Sequence, residues 1–144
     1  MTHPRQIIRE KIAARLSETL TNVYTSRAKP LFDQDLPAVL VYAASEQVRR
    51  ERWDTDGFGD LRRELEILVE CVDMGKEDLD DKLDALAETV ETALDGWEIP
   101  GYKNAVMRFT GTDTDMSIDG NKTYGAIRLA YTLTYMTETH NDEN

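Results

Sequence analysis

The chain has 144 residues, of which 40% are hydrophobic and 31% charged, and its formal net charge is −11. This composition is typical of a globular protein, and no apolar run approaches the roughly 20 residues that a membrane span requires. The acidic balance argues against a protein whose main work is binding nucleic acid through its phosphates. A single cysteine excludes an internal disulfide.

The length predicts one domain over residues 1–144, and its first elements are a helix and a strand. Apolar residues recur at every fourth position near the start of the chain: Ile8, Ile12, Leu16 and Leu20. Because Pro4 suits a first turn, this spacing predicts an amphipathic helix that ends near Asn22. The apolar run at 38–42 then predicts a short strand that is covered on both sides.

Residues 43–63 form a charged arm between the first two predicted strands, and the arm is long for such a connection. Loops of this length are usually functional or disordered. If residues near Gln47 and Arg63 pair, the arm is a β-hairpin that extends past the edge of the sheet. It carries side chains that are common at protein interfaces, namely Arg49, Arg50, Arg52, Trp53 and Phe58. These residues favour an interface, and solvated disorder is the competing interpretation.

The second strand and the second helix have the clearest patterns in the sequence. Alternate residues of the strand are apolar, namely Leu65, Ile67, Val69 and Cys71. We therefore expect Cys71 to be a buried side chain rather than a reactive thiol. Acidic residues at 77–81 favour a helix N-terminus, and Gly96 suits the position just after a helix. The predicted buried stripe of this helix is Leu79, Leu83, Leu86, Val90 and Leu94.

Two final strands are predicted at 105–116 and 124–137, joined by the turn signal Asp119-Gly120-Asn121. The last strand has a core face of Ile127, Leu129, Tyr131, Leu133 and Tyr135. Its opposite face is small and weakly charged for a surface that meets water, with Arg128, Ala130, Thr132 and Thr134. Coverage by another chain and coverage by a crossing loop both explain this. Residues 138–144 are expected to be a disordered tail.

The order of elements predicts an α+β fold. An antiparallel sheet of about four strands with two helices packed on one face buries every apolar stripe identified above. No internal repeat or low-complexity tract interrupts the order.

No catalytic, cofactor or metal site is predicted. The sequence lacks a glycine-rich phosphate loop, a G-x-S-x-G elbow, an H-E-x-x-H helix and paired cysteines. His3 and His140 lie near the ends of the chain, where a general base is poorly held against a substrate. Asp54 and Asp56 begin a stretch that weakly resembles a calcium loop, but position 12 counted from Asp54 is Leu65 rather than the required glutamate.

Opposite charges are segregated along the chain. Residues 1–30 hold six basic and two acidic side chains, whereas residues 64–98 hold thirteen acidic and two basic ones. This pattern fits two solvated faces, and it fits equally a surface and its complement on another subunit.

Four stretches in a fixed order carry a family resemblance. FDQDLPAVLVY at 32–42 is followed by DTD at 54–56 and LEILVE at 65–70, and the last strand reads IRLAYTLTY at 127–135. Together they resemble the phage minor tail protein U family, the tail terminators of lambda-like phages.

The resemblance implies a structural protein rather than an enzyme. It implies an α+β protomer that forms a hexameric ring, caps the finished tail tube, stops its polymerisation and provides the surface on which the head docks. The implied partners are further copies of itself, a tail tube protein and a head completion or connector protein, while DNA only passes through the ring. The implied locations are the host cytoplasm during assembly and then the head-proximal end of the virion tail.

A ring needs a heterologous interface, in which two different patches of the same subunit meet. We therefore hypothesise that the arginines of the arm meet acidic residues on the second helix of the next copy, while Trp53 supplies apolar area. The acidic candidates are Asp80, Asp81, Asp84 and Glu88.

Two other interpretations stay open. The protein could be a different head-tail junction or tail completion protein, because such proteins share folds and ring symmetry. It could also be a cytoplasmic ligand-binding or regulatory α+β domain that uses the sheet face around Thr132 and Thr134 as a pocket floor.

Overall fold

The computed structural model describes residues 3–50 and 60–138, and the side chain of residue 138 is not described. Its elements are α1 (Pro4–Leu16), β1 (Val23–Tyr24), β2 (Ala38–Arg50), β3 (Asp60–Gly75), α2 (Leu79–Leu94), β4 (Arg108–Asp119) and β5 (Lys122–Glu138). The strands form one sheet in the order β1-β2-β3-β5-β4. No helix in this part of the chain is long and apolar enough to cross a membrane.

The α+β prediction is confirmed, with a sheet that has one more strand than expected. All neighbouring strands are antiparallel except β1, which pairs in parallel with β2. This additional strand is only two residues long, too short to leave a pattern in the sequence. The predicted tail at 138–144 lies outside the described residues apart from residue 138, which ends β5.

The core lies between one face of the sheet and the two helices. The predicted inward residues of β3 and β5 are buried, including Leu65, Cys71 and Tyr131, none of which is exposed to solvent. Burial raises the pKa of the Cys71 thiol to about 12, which agrees with a packing role. Burying this apolar area supplies most of the stabilisation of such a fold, at about 25 cal/mol for each Å².

Both helices differ in detail from their predictions. The α1 helix ends at Leu16 rather than near Asn22, because residues 17–20 form turns before the chain enters β1. In α2, Ala87 is buried where Leu86 was expected, and Leu86 is only partly buried at the edge of the core. Gly96 has a φ of +79°, so the prediction of a residue just past the helix end is confirmed.

A loop covers one end of the sheet face that carries no helix. Asp33 in this loop accepts hydrogen bonds from Lys122 and from the Tyr124 hydroxyl (2.8 Å), and the Arg27 guanidinium lies 5.1 Å from the centre of the Tyr42 ring. Tyr42 is consequently only 5% exposed, although it points away from the helices. The weakly charged outer face of the last strand had two explanations, coverage by another chain and coverage by a crossing loop. A crossing loop is present at this end of the face.

Candidate interaction surface on the hairpin and the sheet edges

The stem of the arm is a β-hairpin. The predicted short strand at 38–42 is wrong in length, because β2 continues to Arg50 and pairs with β3 as far as Leu61. Gln47 faces Glu64 and Val48 faces Arg63, so the predicted pairing is confirmed. β5 extends alongside the same part of β3, which makes the stem three-stranded.

Glu46 ties the base of the hairpin to the start of α1. Its carboxylate accepts hydrogen bonds from Arg5 (2.6 Å), Arg63 (3.0 Å) and the Tyr135 hydroxyl (2.5 Å). Burial alone raises the pKa of Glu46, but the hydrogen bonds from these three groups outweigh it and hold the pKa below the usual range. Because its side chain is only 9% exposed, this carboxylate acts as a buried anchor.

The two faces of the hairpin carry different residues. Residues that face each other on antiparallel strands share a side of the sheet, so Val48, paired with Arg63, lies on the helix side together with Arg50. Arg49 lies on the opposite side, directly across from Arg62.

Of the five predicted arm residues, the structure describes Arg49 and Arg50. Arg49 is exposed, and Arg50 is half-buried. Arg52, Trp53 and Phe58 lie outside the described residues.

The four predicted acidic residues do not form one surface. Asp80 and Asp84 line a groove of about 340 Å³ between α2 and β4, together with Leu83, Thr114 and Met116. Glu88 instead lines a groove of about 500 Å³ between α1 and α2 that also contains Arg15. Asp81 is exposed on α2.

Sequence reasoning missed an acidic row on the outermost strand, β4. Asp113 and Asp115 lie 3.1 Å and 3.5 Å from guanidinium nitrogens of Arg128, yet their side chains remain 74% and 66% exposed. Arg128 also contacts Glu70 on β3 at 3.6 Å, so the charges run across the sheet. The alternating acidic residues 113 and 115 were the available signal, and they were interpreted only as part of a strand.

Residues 3–50 and 60–138 contain no group of three or more His, Cys, Asp or Glu side chains arranged to hold a metal ion. The stretch with a weak likeness to a calcium loop falls mostly outside these ranges. The fold presents exposed apolar side chains on the hairpin and on β4, among them Val48, Met116 and Ile118.

Comparison with known proteins defines the class as a structural component of a phage tail. The sequence profile of the phage minor tail protein U family matches residues 3–135. The chain belongs to this family, as the order of its motifs predicted. It is therefore a component of the virion tail.

A solved structure has the same fold. A chain from the "Virion of native gene transfer agent (GTA) particle" superposes with a TM-score of 0.58 at 11% identity, covering 92% of this chain and 99% of that one. Comparison with curated proteins gives no significant match.

Proposed function

We propose that this protein is a tail terminator: it forms a ring, hexameric by family resemblance, on the end of the tail tube, stops tube polymerisation and presents the surface to which the head attaches. The family match over nearly the whole chain carries this proposal. The fold shared with a chain of a gene transfer agent virion is consistent with it.

The distribution of charge supports self-assembly. A closed ring brings two different patches of each subunit together. Arg49 and Arg50 lie on the hairpin near one edge of the sheet, while Asp80 and Asp84 lie beside β4 at the opposite edge. Exposed ion pairs contribute only about 0–1 kcal/mol each, so they set the register and buried apolar area supplies the affinity. Arg52, Trp53 and Phe58 would extend the same contact.

The role is structural and uses no catalytic group or cofactor. The partners are the tail tube protein on one rim and a head completion or connector protein on the other. The ring assembles in the host cytoplasm and stays at the head-proximal end of the tail. DNA passes through the bore without specific binding, because a lumen of acidic subunits does not attract phosphates.

The ligand-binding alternative has less support. It uses the weakly charged sheet face around Thr132 and Thr134 as a pocket floor, but Thr132 is flanked on the sheet by Glu66 and Arg108. Charged neighbours on a sheet face differ from the mostly apolar lining of small-molecule pockets.

The test is tube length. The tail tube protein of the same particle is assembled with and without this protein, and the lengths are measured by electron microscopy. A terminator gives tubes of uniform length with density at one end. Unchanged lengths and bare ends would refute the proposal, and density at the end without any effect on length would favour the tail completion alternative.

A further inference from the structure

Two edges of the sheet have no neighbouring strand in the described part of the chain. β4 is the last strand on one side. At the other edge, β1 pairs with Val39 and Leu40, and no strand among the described residues pairs with the outer edge of β2 from residue 43 to residue 50. An open edge strand presents unpaired N–H and C=O groups, and soluble proteins usually protect such edges with charged side chains, bulges, proline or a covering element. Each of these two edges carries charged residues and one bulge, at 43–45 in β2 and at 109–111 in β4, but neither β4 nor residues 43–50 contain proline or lysine. Beyond the bulges both strands are regularly paired on their inner side, so their outer groups are aligned to accept a further strand.

We propose that the sheet continues from one copy of the protein to the next, with the outer edge of β4 pairing with residues 43–50 of β2 in the neighbouring copy. The inference rests on the proposed ring and names the contact that closes it. The occupant of the β4 edge is therefore a second copy of this chain.

The strand directions fit this pairing. Three antiparallel steps separate β2 from β4, namely β2 to β3, β3 to β5 and β5 to β4. β2 and β4 of one copy therefore run in opposite directions. Rotation about a ring axis preserves the direction of each strand along that axis, so β4 of one copy meets β2 of the next as an antiparallel neighbour. Antiparallel pairing also gives the better-aligned hydrogen bonds.

Apolar surfaces match on the helix side of the junction. Val48 is 50% exposed and lies on the helix side of β2. Met116 is 51% exposed and Ile118 is 77% exposed on β4. Thr114 faces the core residue Ile127, which places Thr114, Met116 and Ile118 on the helix side as well. Along β5, Val48 lies level with Tyr135 and Met116 lies level with Gly125. A continuous sheet therefore brings these exposed apolar side chains together when its strands are tilted to the ring axis, so that neighbouring copies are offset by about ten residues along the strands.

Charges match on both sides of the same junction. Arg49, on the side without helices, would meet the exposed carboxylates of Asp113 and Asp115, which share that side with Arg128. Arg50, on the helix side, would approach the groove bordered by Asp80 and Asp84. Edge pairing therefore selects these two of the four predicted acidic residues, whereas Glu88 borders the more distant groove between the helices.

The test is disulfide cross-linking between copies. Val48→Cys is combined in turn with Thr114→Cys, Met116→Cys and Ile118→Cys, because the register between the copies is to be found. Neighbouring strands bring Cα atoms to about 4.5–5.5 Å, which is within the range that a disulfide spans. The native Cys71 is fully buried and should not form a cross-link. Variants with only one added cysteine control for this, because any ladder they gave would have to involve Cys71.

Each variant is oxidised after assembly at high protein concentration and on tail tubes, and then separated on denaturing gels without reductant. At least one of the three pairs is expected to give a covalent ladder that ends at the ring number, whereas Val48→Cys with Glu88→Cys stays monomeric. Circular dichroism verifies that each variant is folded. As a second measurement, Val48→Asp is expected to raise the concentration needed for ring formation at least tenfold, while Val48→Leu leaves it unchanged.

The outcomes separate the two proposals. A ladder only in the pair with Glu88→Cys, or rings without any ladder, would overturn the edge pairing and leave the terminator function standing. If the unmodified protein forms no ring under any condition, including on tubes, the ring and the edge pairing are both wrong.

Discussion

Replacing Glu46 tests whether a buried carboxylate holds the hairpin in place. In Glu46→Ala, Arg63 loses a contact at 3.0 Å and the Tyr135 hydroxyl loses its acceptor at 2.5 Å, in a region where Tyr135 is only 1% exposed. Removing one partner of a buried charge pair costs about 3–5 kcal/mol, and Arg5 adds little because its side chain is 38% exposed. We expect a loss of about 3 kcal/mol for Glu46→Ala. Glu46→Gln should lose about 1–2 kcal/mol, because its amide oxygen still accepts a hydrogen bond.

The assay is unfolding in urea, with the midpoint converted to a free energy of unfolding. Glu64→Gln is the matched control, since Glu64 lies 3.9 Å from Arg108 with 48% of its side chain exposed and should change stability by less than about 0.5 kcal/mol. The contribution of Glu46 should also depend on pH. Its folded pKa lies below the ordinary value of 4.5, so the stabilisation is complete above that pH and disappears as the pH falls through the folded pKa. Equal stability of Glu46→Ala and Glu64→Gln at neutral pH would refute the anchor.

Three further predictions concern the helix cap, the interface and the core. The Nδ1 atom of His3 accepts a hydrogen bond from the Arg5 N–H, and burial, followed by the charge of Arg5, lowers the pKa of His3. The cap is therefore complete above the ordinary pKa of 6.5 and should be lost as the pH falls through the lower folded pKa. His3→Asn keeps a cap at every pH, so on going from pH 7.5 to pH 5 it should gain stability relative to wild type in thermal unfolding, by less than about 1 kcal/mol because His3 is largely solvated. Arg49→Glu should weaken ring formation and Asp115→Arg should restore it in the double variant, as measured by analytical ultracentrifugation; rescue by Asp84→Arg alone would place the contact on α2 instead. Gly125→Ala should cost about 1–3 kcal/mol, because the added Cβ would lie 2.8 Å from a Leu83 methyl, whereas Gly111→Ala enters open space and should be nearly neutral in urea unfolding.

The sequence predicted the elements that bury an apolar stripe and also β4, which buries none, but it missed β1 and the part of β2 beyond residue 42. β3, β5 and α2 each place apolar residues on the core at the period of a strand or a helix, and these signals identified them correctly. β2 beyond residue 42 has no such alternation, because this part of the strand extends past the helices and carries charge on both sides. Its strand conformation depends on pairing with β3 and on the contacts of Glu46, which join residues far apart in sequence.

The candidate interaction surface was also predicted only in part, because some of its residues stand out by type and others only by their position in the sheet. The arginines of the arm were predicted from their residue types, and the structure places two of them on a paired strand. Asp113 and Asp115 were missed because an acidic residue in a strand has no special meaning until the strand order is known. The strand order β1-β2-β3-β5-β4 makes β4 an outer strand, and it places the acidic row of β4 at the opposite edge of the sheet from the arginines of β2.

Assembly of the proposed ring should depend on salt in two opposite ways. Each copy carries a net charge of −11, so bringing copies together creates repulsion between charges spread over whole subunits. Such repulsion acts over distances longer than the Debye length of about 10 Å at 0.1 M salt and is screened first. Contacts such as that proposed between Arg49 and Asp115 act at short range and partly away from solvent, so they are screened only at higher salt. Ring formation, measured by sedimentation across an ionic-strength series, should therefore rise to a maximum at intermediate salt and then fall. In Arg49→Glu the decline at high salt should become shallower, because the pair with Asp115 is gone while the contact proposed for Arg50 remains. An unchanged decline would show that Arg49 takes no part in closing the ring.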